Sequence, residues 1–264
     1  MSNRIFEITV LGNCATQTIT HETTSFLITF NNKKVLVDCG PGTVKQLLKA
    51  QIDISTIDAI VITHCHADHT AGYPYLLFSI NIARAMKQGV AFKKIDVIAL
   101  ESVHLGLTEM LKIQYPIEKL EEKLVSKRIF LSKEEFPVND ALIKPFLVFH
   151  SVPTIGIVIE EKGKKIALTS DTLFNENLAF FVKNSDLLIH EAFCTDTLSK
   201  IAKSAGHSTA EEAGITAKNA DVKCLVLSHP LIMEWNNPLN LINEAAKYFG
   251  GDICVPKELD ILNV

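Results

Sequence analysis

Apolar and polar positions along the chain fall into a repeated unit, a short run rich in Val, Ile and Leu that stops at an Asp or a His. "KKVLVD" stops at Asp38, "DAIVIT" runs into His64, "FLVFH" stops at His150, "KKIALTSD" at Asp171, "SDLLIHE" at His190 and Glu191, and "KCLVLSH" at His229. Runs of this length that are apolar on both faces predict inner strands of sheets covered by helices. Six strand ends are therefore expected to meet along one edge, with their polar side chains gathered there. "MSNRIFEITVLG" alternates in the manner of a first strand. "LVFHSVPTIGIVIEEKGKKIALTS" predicts two strands around an E-K-G-K turn, which brings His150 and Asp171 to the same end.

Helical spacing fills the intervals. "TVKQLLKAQ", "YLLFSINIARAMKQ", "VHLGLTEMLKI", "IEKLEEKLVSK" and "TAEEAGITAKNA" each predict a helix, and these would cover the outer faces. "AGYPYLLFSINIARAM" is the longest greasy stretch, but Ser79, Asn81 and Arg84 interrupt it, so it predicts a core helix and not a membrane span. No Pro/Ser-rich linker, low-complexity block or solenoid period divides the chain, and residues 1–264 are expected to form a single domain.

Composition narrows the function classes. With 264 residues, 47% hydrophobic and 21% charged, the chain has the make-up of a soluble globular protein. A net charge of −4 builds no general attraction to nucleic acid or to an anionic membrane. The N-terminus lacks the long uncharged segment of a signal peptide, and a cytoplasmic location is expected. Cysteines 14, 39, 65, 194, 224 and 254 show no C-x-x-C spacing, which predicts free buried thiols and no cysteine-based zinc site.

"HCHADH", residues 64 to 69, is the densest chemistry in the chain. On a still-extended backbone His64 and His66 point the same way while Cys65 turns aside; Asp68 and His69 follow where the next helix begins, rotated from the first pair yet close to it. That arrangement supplies two neighbouring metal sites. Imidazole and carboxylate donors without thiolates suit zinc, and to a lesser extent iron or manganese, and leave positions open for water. Two such ions sharing a carboxylate bring a water towards neutral pKa, and Asp68 can take up its proton. No G-x-G-x-x-G or phosphate-loop motif competes.

"HCHADH" after "AIVIT", with "DCGPGT" before it, resembles the metallo-β-lactamase fold superfamily of metal-dependent hydrolases, over nearly the whole chain. The resemblance implies a four-layer αββα sandwich with a binuclear site at one edge. Carried over, His64, His66 and His150 would hold one divalent ion, Asp68, His69 and His229 the other, and Asp171 would bridge them. Asp38 would not be a ligand; its carboxylate would fix a ligating imidazole through the other ring nitrogen.

"LLIHEAF" followed by "AGHSTAEEAG" is similar to the ribonuclease Z and arylsulfatase-like phosphodiesterase branch. In that branch the residue matching His207 donates a hydrogen bond or proton to the scissile phosphate, with Glu191 beside it. The same stretch is also a helix start, with Ser208 or Thr209 as cap and Glu211 or Glu212 in the first turn. His190 is left out of the ligand set. The resemblance implies hydrolysis of a small phosphodiester by attack of a metal-bridging hydroxide; a lactone, thioester or sulfate-ester hydrolase is the alternative. True ribonuclease Z carries a flexible arm between the third metal histidine and the bridging aspartate, whereas here one hairpin separates His150 from Asp171. A tRNA partner is therefore not expected, and a homodimer is allowed for. The resemblance places His21, Glu22 and Ser25, the "GYPYLLF" segment and "PLIMEWNNP" around the mouth, but helical spacing favours packing for Tyr73, Tyr75 and Phe78. Trp235 is read as a cover for the last strand, and His104 is expected to face solvent.

Overall fold

Alternation along the strands sorts side chains into three cores, and this dictates the layers. The computed structural model describes residues 5–87, 89–115 and 119–264. Its first sheet runs in the order β14-β1-β2-β3-β4-β5-β6, where β1 is Glu7–Gly12, β2 Ser25–Phe30, β3 Lys33–Val37, β4 Ala59–Val61, β5 Ile95–Leu100, β6 Val125–Phe130 and β14 Ile261–Asn263. The second runs β13-β12-β11-β10-β9-β8-β7, with β7 Phe136–Val138, β8 Ala141–Val148, β9 Thr154–Glu161, β10 Lys164–Leu168, β11 Leu187–Glu191, β12 Cys224–Ser228 and β13 Asp252–Cys254. Phe26, Val35, Val37 and Val61 of the first sheet meet Ile157, Ile166, Leu168 and Ile189 of the second in one buried core. The intervening residues point outward: Leu27, Leu36 and Ile60 pack under α1 (Thr43–Lys49), α3 (Tyr73–Ala85) and α4 (Glu101–Gln114). Ala167, Leu188 and Leu225 do the same under α6 (Leu178–Phe181), α8 (Ala210–Asn219) and α9 (Leu239–Ala245). The expected αββα sandwich is the observed one.

Each sheet is half antiparallel and half parallel. From β3 to β6 and from β10 to β13 neighbouring strands run the same way, so their carboxyl ends emerge at one edge. Parallel strands need crossovers that cover the sheet, so this edge is built from loops leading into helices, including α2 (Ala67–Thr70) and α7 (Ser199–Ala205), whereas α5 (Leu120–Leu124) feeds the amino end of β6. At three of these ends the backbone turns through the left-handed region: Asp38 (φ 59°), Ser170 (φ 58°) and His229 (φ 58°). Non-glycine residues held there are strained, and such corners gather at functional sites.

Three expectations require correction. "IEKLEEKLVSK" does not form one helix: residues 117 and 118 lie outside the described residues, α5 covers only Leu120–Leu124, and Val125 begins β6, paired in parallel with β5. Val125 and Phe130 are buried while Lys127 and Arg128 stay exposed, the charged outer edge that blocks further pairing. His104 is buried, 3% exposed, with Nε2 directed at the Arg128 carbonyl 3.3 Å away across the α4–β6 contact. All six cysteines are free, as expected, but Cys65 is exposed and Cys224 and Cys254 are half-buried. Among the described residues, no helix is long and apolar enough to cross a membrane.

Candidate metal centre

Each strand end delivers one part of the site. β4 continues as extended backbone through His66, whose φ of −62° and ψ of 148° precede α2, and the His64 and His66 rings converge as expected: His64 Nε2 lies 3.1 Å from His66 Nδ1. His150, past the end of β8, brings its Nε2 to 3.2 Å from the same atom. Two ring nitrogens held about 2.0–2.1 Å from one tetrahedral ion lie roughly 3.3–3.4 Å apart, so this triangle has the dimensions of a three-histidine metal face. Asp68 and His69, inside α2, meet His229 from β12; Asp68 Oδ2 is 3.3 Å from His69 Nε2 and 3.9 Å from His229 Nε2. Asp171 stands between the groups. Its Oδ2 is 3.3 Å from the Nε2 atoms of His69 and His229, 3.6 Å from that of His64 and 3.9 Å from that of His150. All seven residues predicted as ligands thus come together in two clusters that share Asp171.

The outward nitrogens are all engaged. His69 Nδ1 donates to Asp38 Oδ2 at 2.7 Å, while Asp38 Oδ1 accepts from the Thr63 amide at 2.8 Å. His150 Nδ1 donates to the Gly206 carbonyl at 2.7 Å, and His229 Nδ1 meets Thr24 Oγ1 at 2.8 Å. His64 Nδ1 meets Thr63 Oγ1 at 3.0 Å. These contacts set the tautomer that turns the Nε2 lone pairs of His64, His69, His150 and His229 inward. His69 Nε2 is fully buried without a well-aligned hydrogen bond, although two carboxylates lie 3.3 Å from it. That is the disposition of a lone pair aimed at a cation.

Electrostatics point the same way. Burial drives the His69 pKa down, but Asp171 and Asp38 outweigh it and hold it well above the ordinary value. Burial raises Asp171, yet His229 and His69 keep it well below, and Asp68 reaches about 2 because its contacts with His69 and His229 outweigh burial. Burial and neighbouring histidines hold His64 well below its usual value, and burial takes His229 to about 4. The buried Asp38 and Asp171 with Asp68 at the cleft call for positive charge, and the depressed His64 and His229 are neutral imidazoles, the form that ligates. The donor set fits divalent ions.

Beside the centre, Glu191 is fully buried at the end of β11, and both its oxygens lie 3.1 Å from His207 Nδ1. Burial raises Glu191 to about 7, against the pull of His207 and the Thr172 amide that also binds it. Glu191 in turn raises His207 above its ordinary value in spite of burial. The His207 ring stacks on Phe193, centroids 4.2 Å apart and planes 3° from parallel. The helix-start reading of "AGHSTAEEAG" is observed, since Thr209 and Glu212 form a reciprocal capping box for α8. Gly206 takes φ 87°, and a Cβ there would sit 2.9 Å from His150 Nδ1, so only glycine lets this carbonyl reach His150. His190 stays outside the clusters, its Nδ1 bonded to the Glu191 carbonyl.

The clusters open into a cleft of about 470 Å³. The expected rim was misplaced except at Leu231 of "PLIMEWNNP", which lines the cleft. Ser25 is buried and donates to the Asp38 carbonyl, Glu22 is buried beneath the loop, and His21 stacks on Trp235 at 4.4 Å; none lines the cleft. Neither do the "GYPYLLF" aromatics: Tyr73 packs in the core as expected, Tyr75 is exposed and Phe78 stacks on Tyr115. Thr16, Gln17, Thr23, Pro41, Phe193 and Leu231 do line it. Thr24, Thr63 and the Gly206 carbonyl were not singled out from the sequence; only Thr63, next to His64, carried a signal in its position.

Comparison with known proteins agrees with this architecture. Residues 6–216 match the family model described as anti-Pycsar protein Apyc1. Ribonuclease Z of Archaeoglobus fulgidus is 27% identical, the alignment covering 94% of this chain and 95% of that protein. The metallo-β-lactamase fold protein YhfI from Bacillus subtilis superposes with a TM-score of 0.83 at 22% identity, covering 98% of this chain and 100% of that one. The short form of human tRNase Z gives 0.78 at 24% identity, covering 97% and 98%. The chain belongs to the family of the anti-Pycsar protein Apyc1 and is a metallo-β-lactamase fold hydrolase close to ribonuclease Z.

Proposed function

We propose that the chain hydrolyses a small phosphodiester with two divalent ions, zinc in the first instance, held by His64, His66 and His150 on one side and Asp68, His69 and His229 on the other, with Asp171 between them. The observation that carries this reading is the position of Asp171 Oδ2, within 3.9 Å of four imidazole nitrogens from both groups. When bound, such ions supply a water of lowered pKa and polarise the phosphoryl oxygen. The protein's own groups do the rest. His207, charged and tied to Glu191 through Nδ1, presents Nε2 to the cleft and hands its proton to the departing alkoxide as the P–O bond breaks. The water oxygen bonds to phosphorus and one of its protons passes to Asp68. Asp68 remains ionised at neutral pH with a pKa near 2, so it relays that proton to solvent and does not keep it.

Two observations bear on substrate size. The β9–β10 hairpin turns at Lys162 and Gly163, both at positive φ, so no arm extends between His150 and Asp171. With a net charge of −4 this disfavours a large folded RNA, whereas the ribonuclease Z relatives favour one. Metal analysis followed by assay on bis(4-nitrophenyl) phosphate, a nitrophenyl ester, a lactone, a nitrophenyl sulfate and a tRNA precursor decides among these. Turnover of the phosphodiester above the others supports the proposal. Preference for the ester, lactone or sulfate transfers the site to the alternative, and cleavage of the precursor alone overturns the small-substrate reading.

A further inference from the structure

The cleft lining is of two kinds. One part is the Phe193–His207 stack with Leu231; another wall carries Thr16, Gln17 and Thr23 from the loop between β1 and β2, which packs beside it through Ala15. Gln17 is held in one orientation: its Nε2 lies 2.6 Å from Glu22 Oε2, and Glu22 Oε1 lies 2.5 Å from Lys45 Nζ. A carboxylate accepts and does not donate, so the amide nitrogen of Gln17 must face Glu22 and its carbonyl oxygen is the atom left for the cleft. Glu22 cannot swing away readily. It is 4% exposed, its own amide donates to Glu258 Oε1 at 3.0 Å, and its carboxylate fills the place a side chain at Gly42 would take, 1.8 Å from that Cβ. Gln17 itself is exposed, which leaves its carbonyl oxygen open to the cleft.

We infer that this wall is a hydrogen-bonding subsite for the group that stays on phosphorus, selecting phosphodiesters whose retained alcohol carries a hydroxyl or amine donor. The inference rests on the phosphodiester reading above. With the leaving oxygen at His207, the P–O bond to the retained alcohol is not broken, and that alcohol stays in the cleft that Gln17 also lines. There Gln17 Oε1 accepts from its donor. An aliphatic substituent would leave that oxygen without a partner from the substrate.

The test uses 4-nitrophenyl phosphodiesters whose retained group is propyl, 3-hydroxypropyl, 3-aminopropyl or 4-hydroxybutyl, with the metal-loaded protein. The wild type should show a KM for the best donor-bearing diester about threefold to tenfold below that for propyl, the range of one neutral hydrogen bond. Gln17→Met keeps the length of the side chain and should bring that ratio close to one. Glu22→Gln should lower it part of the way, because its amide no longer dictates how Gln17 turns. Calorimetric binding of 3-hydroxypropyl phosphate against propyl phosphate should reproduce the ratios without turnover. A wild type that cleaves all four diesters without discrimination, or a Gln17→Met variant that keeps the discrimination, overturns the subsite alone. Failure to cleave any of them overturns the phosphodiester reading itself.

Discussion

Replacing His207 with Asn separates the two nitrogens of its ring. The Asn amide nitrogen occupies the place of Nδ1 and can still donate to Glu191, at 3.1 Å in the native protein, while nothing remains where Nε2 faced the cleft. Retaining that contact matters, because Glu191 is fully buried and loses its main partner in His207→Ala or His207→Leu. Loss of the stack on Phe193 should cost about 1 kcal/mol of stability, and metal content should not change. Removing a positioned proton donor should lower kcat on a diester with an alkyl alcohol as leaving group by roughly two to four powers of ten, equivalent to about 3–5 kcal/mol of barrier. A diester losing 4-nitrophenolate needs no such proton and should slow far less. The assay is a comparison of the two substrates at saturation. Equal slowing assigns His207 to stabilising charge on the phosphoryl oxygens; an unchanged rate on both refutes the donor role and leaves residues 205–214 as a capped helix start.

Three further outcomes are expected. Purified protein should carry close to two metal equivalents, and Asp171→Ala should lose more metal and activity than His229→Ala, measured by elemental analysis, because only Asp171 touches both groups. Asp186 is held below its ordinary pKa, since bonds to Lys223 Nζ (2.7 Å), the Lys165 amide (2.9 Å) and Lys164 outweigh its burial. A lowered folded-state pKa means stability present above the unfolded value and lost as pH falls through the folded one, so Asp186→Asn should cost about 1 kcal/mol at pH 7, after allowance for screening. By denaturant titration that difference should shrink as pH falls below the ordinary carboxylate range. Ser170→Gly relieves a left-handed corner and removes a buried hydroxyl without a partner, and should raise Tm by about 2–4 °C in a calorimetric scan.

How far the sequence could be read depended on which physical signal each residue carried. The strands ending at Asp38, His64, Asp171, Glu191 and His229 are buried on both faces, and an apolar run meeting a polar stop survives any tertiary context. β6 was hidden because it is an edge strand: Lys127 and Arg128 point to solvent, and "LEEKLVSK" satisfies helix propensity until the pairing with β5 overrides it. His104 could not be read because its partner is the backbone carbonyl of Arg128, which carries no residue identity. The rim failed for a related reason. Which of His21, Glu22 and Gln17 faces the cleft depends on Glu258, Lys45 and Gly42, far along the chain or on the neighbouring loop. Thr24 and the Gly206 carbonyl act on histidines 205 and 56 residues away.

The division of the ligands between the sheets has a mechanical consequence. Asp38, His64, His66, Asp68 and His69 hang from the first sheet, His150, Asp171, Glu191 and His229 from the second, and the apolar layer of Phe26, Val37, Val61, Ile157, Leu168 and their neighbours, with a few hydrogen bonds such as Thr24 to His229, holds the two faces in register. Ions held across that seam as proposed would act as a rivet. They would oppose sliding of one sheet over the other and add to stability by mass action in proportion to their affinity. The coupling runs both ways: a methylene removed from the inter-sheet layer, as in Ile157→Val, alters the spacing of the two ligand groups and therefore the affinity for metal, without touching a single ligand.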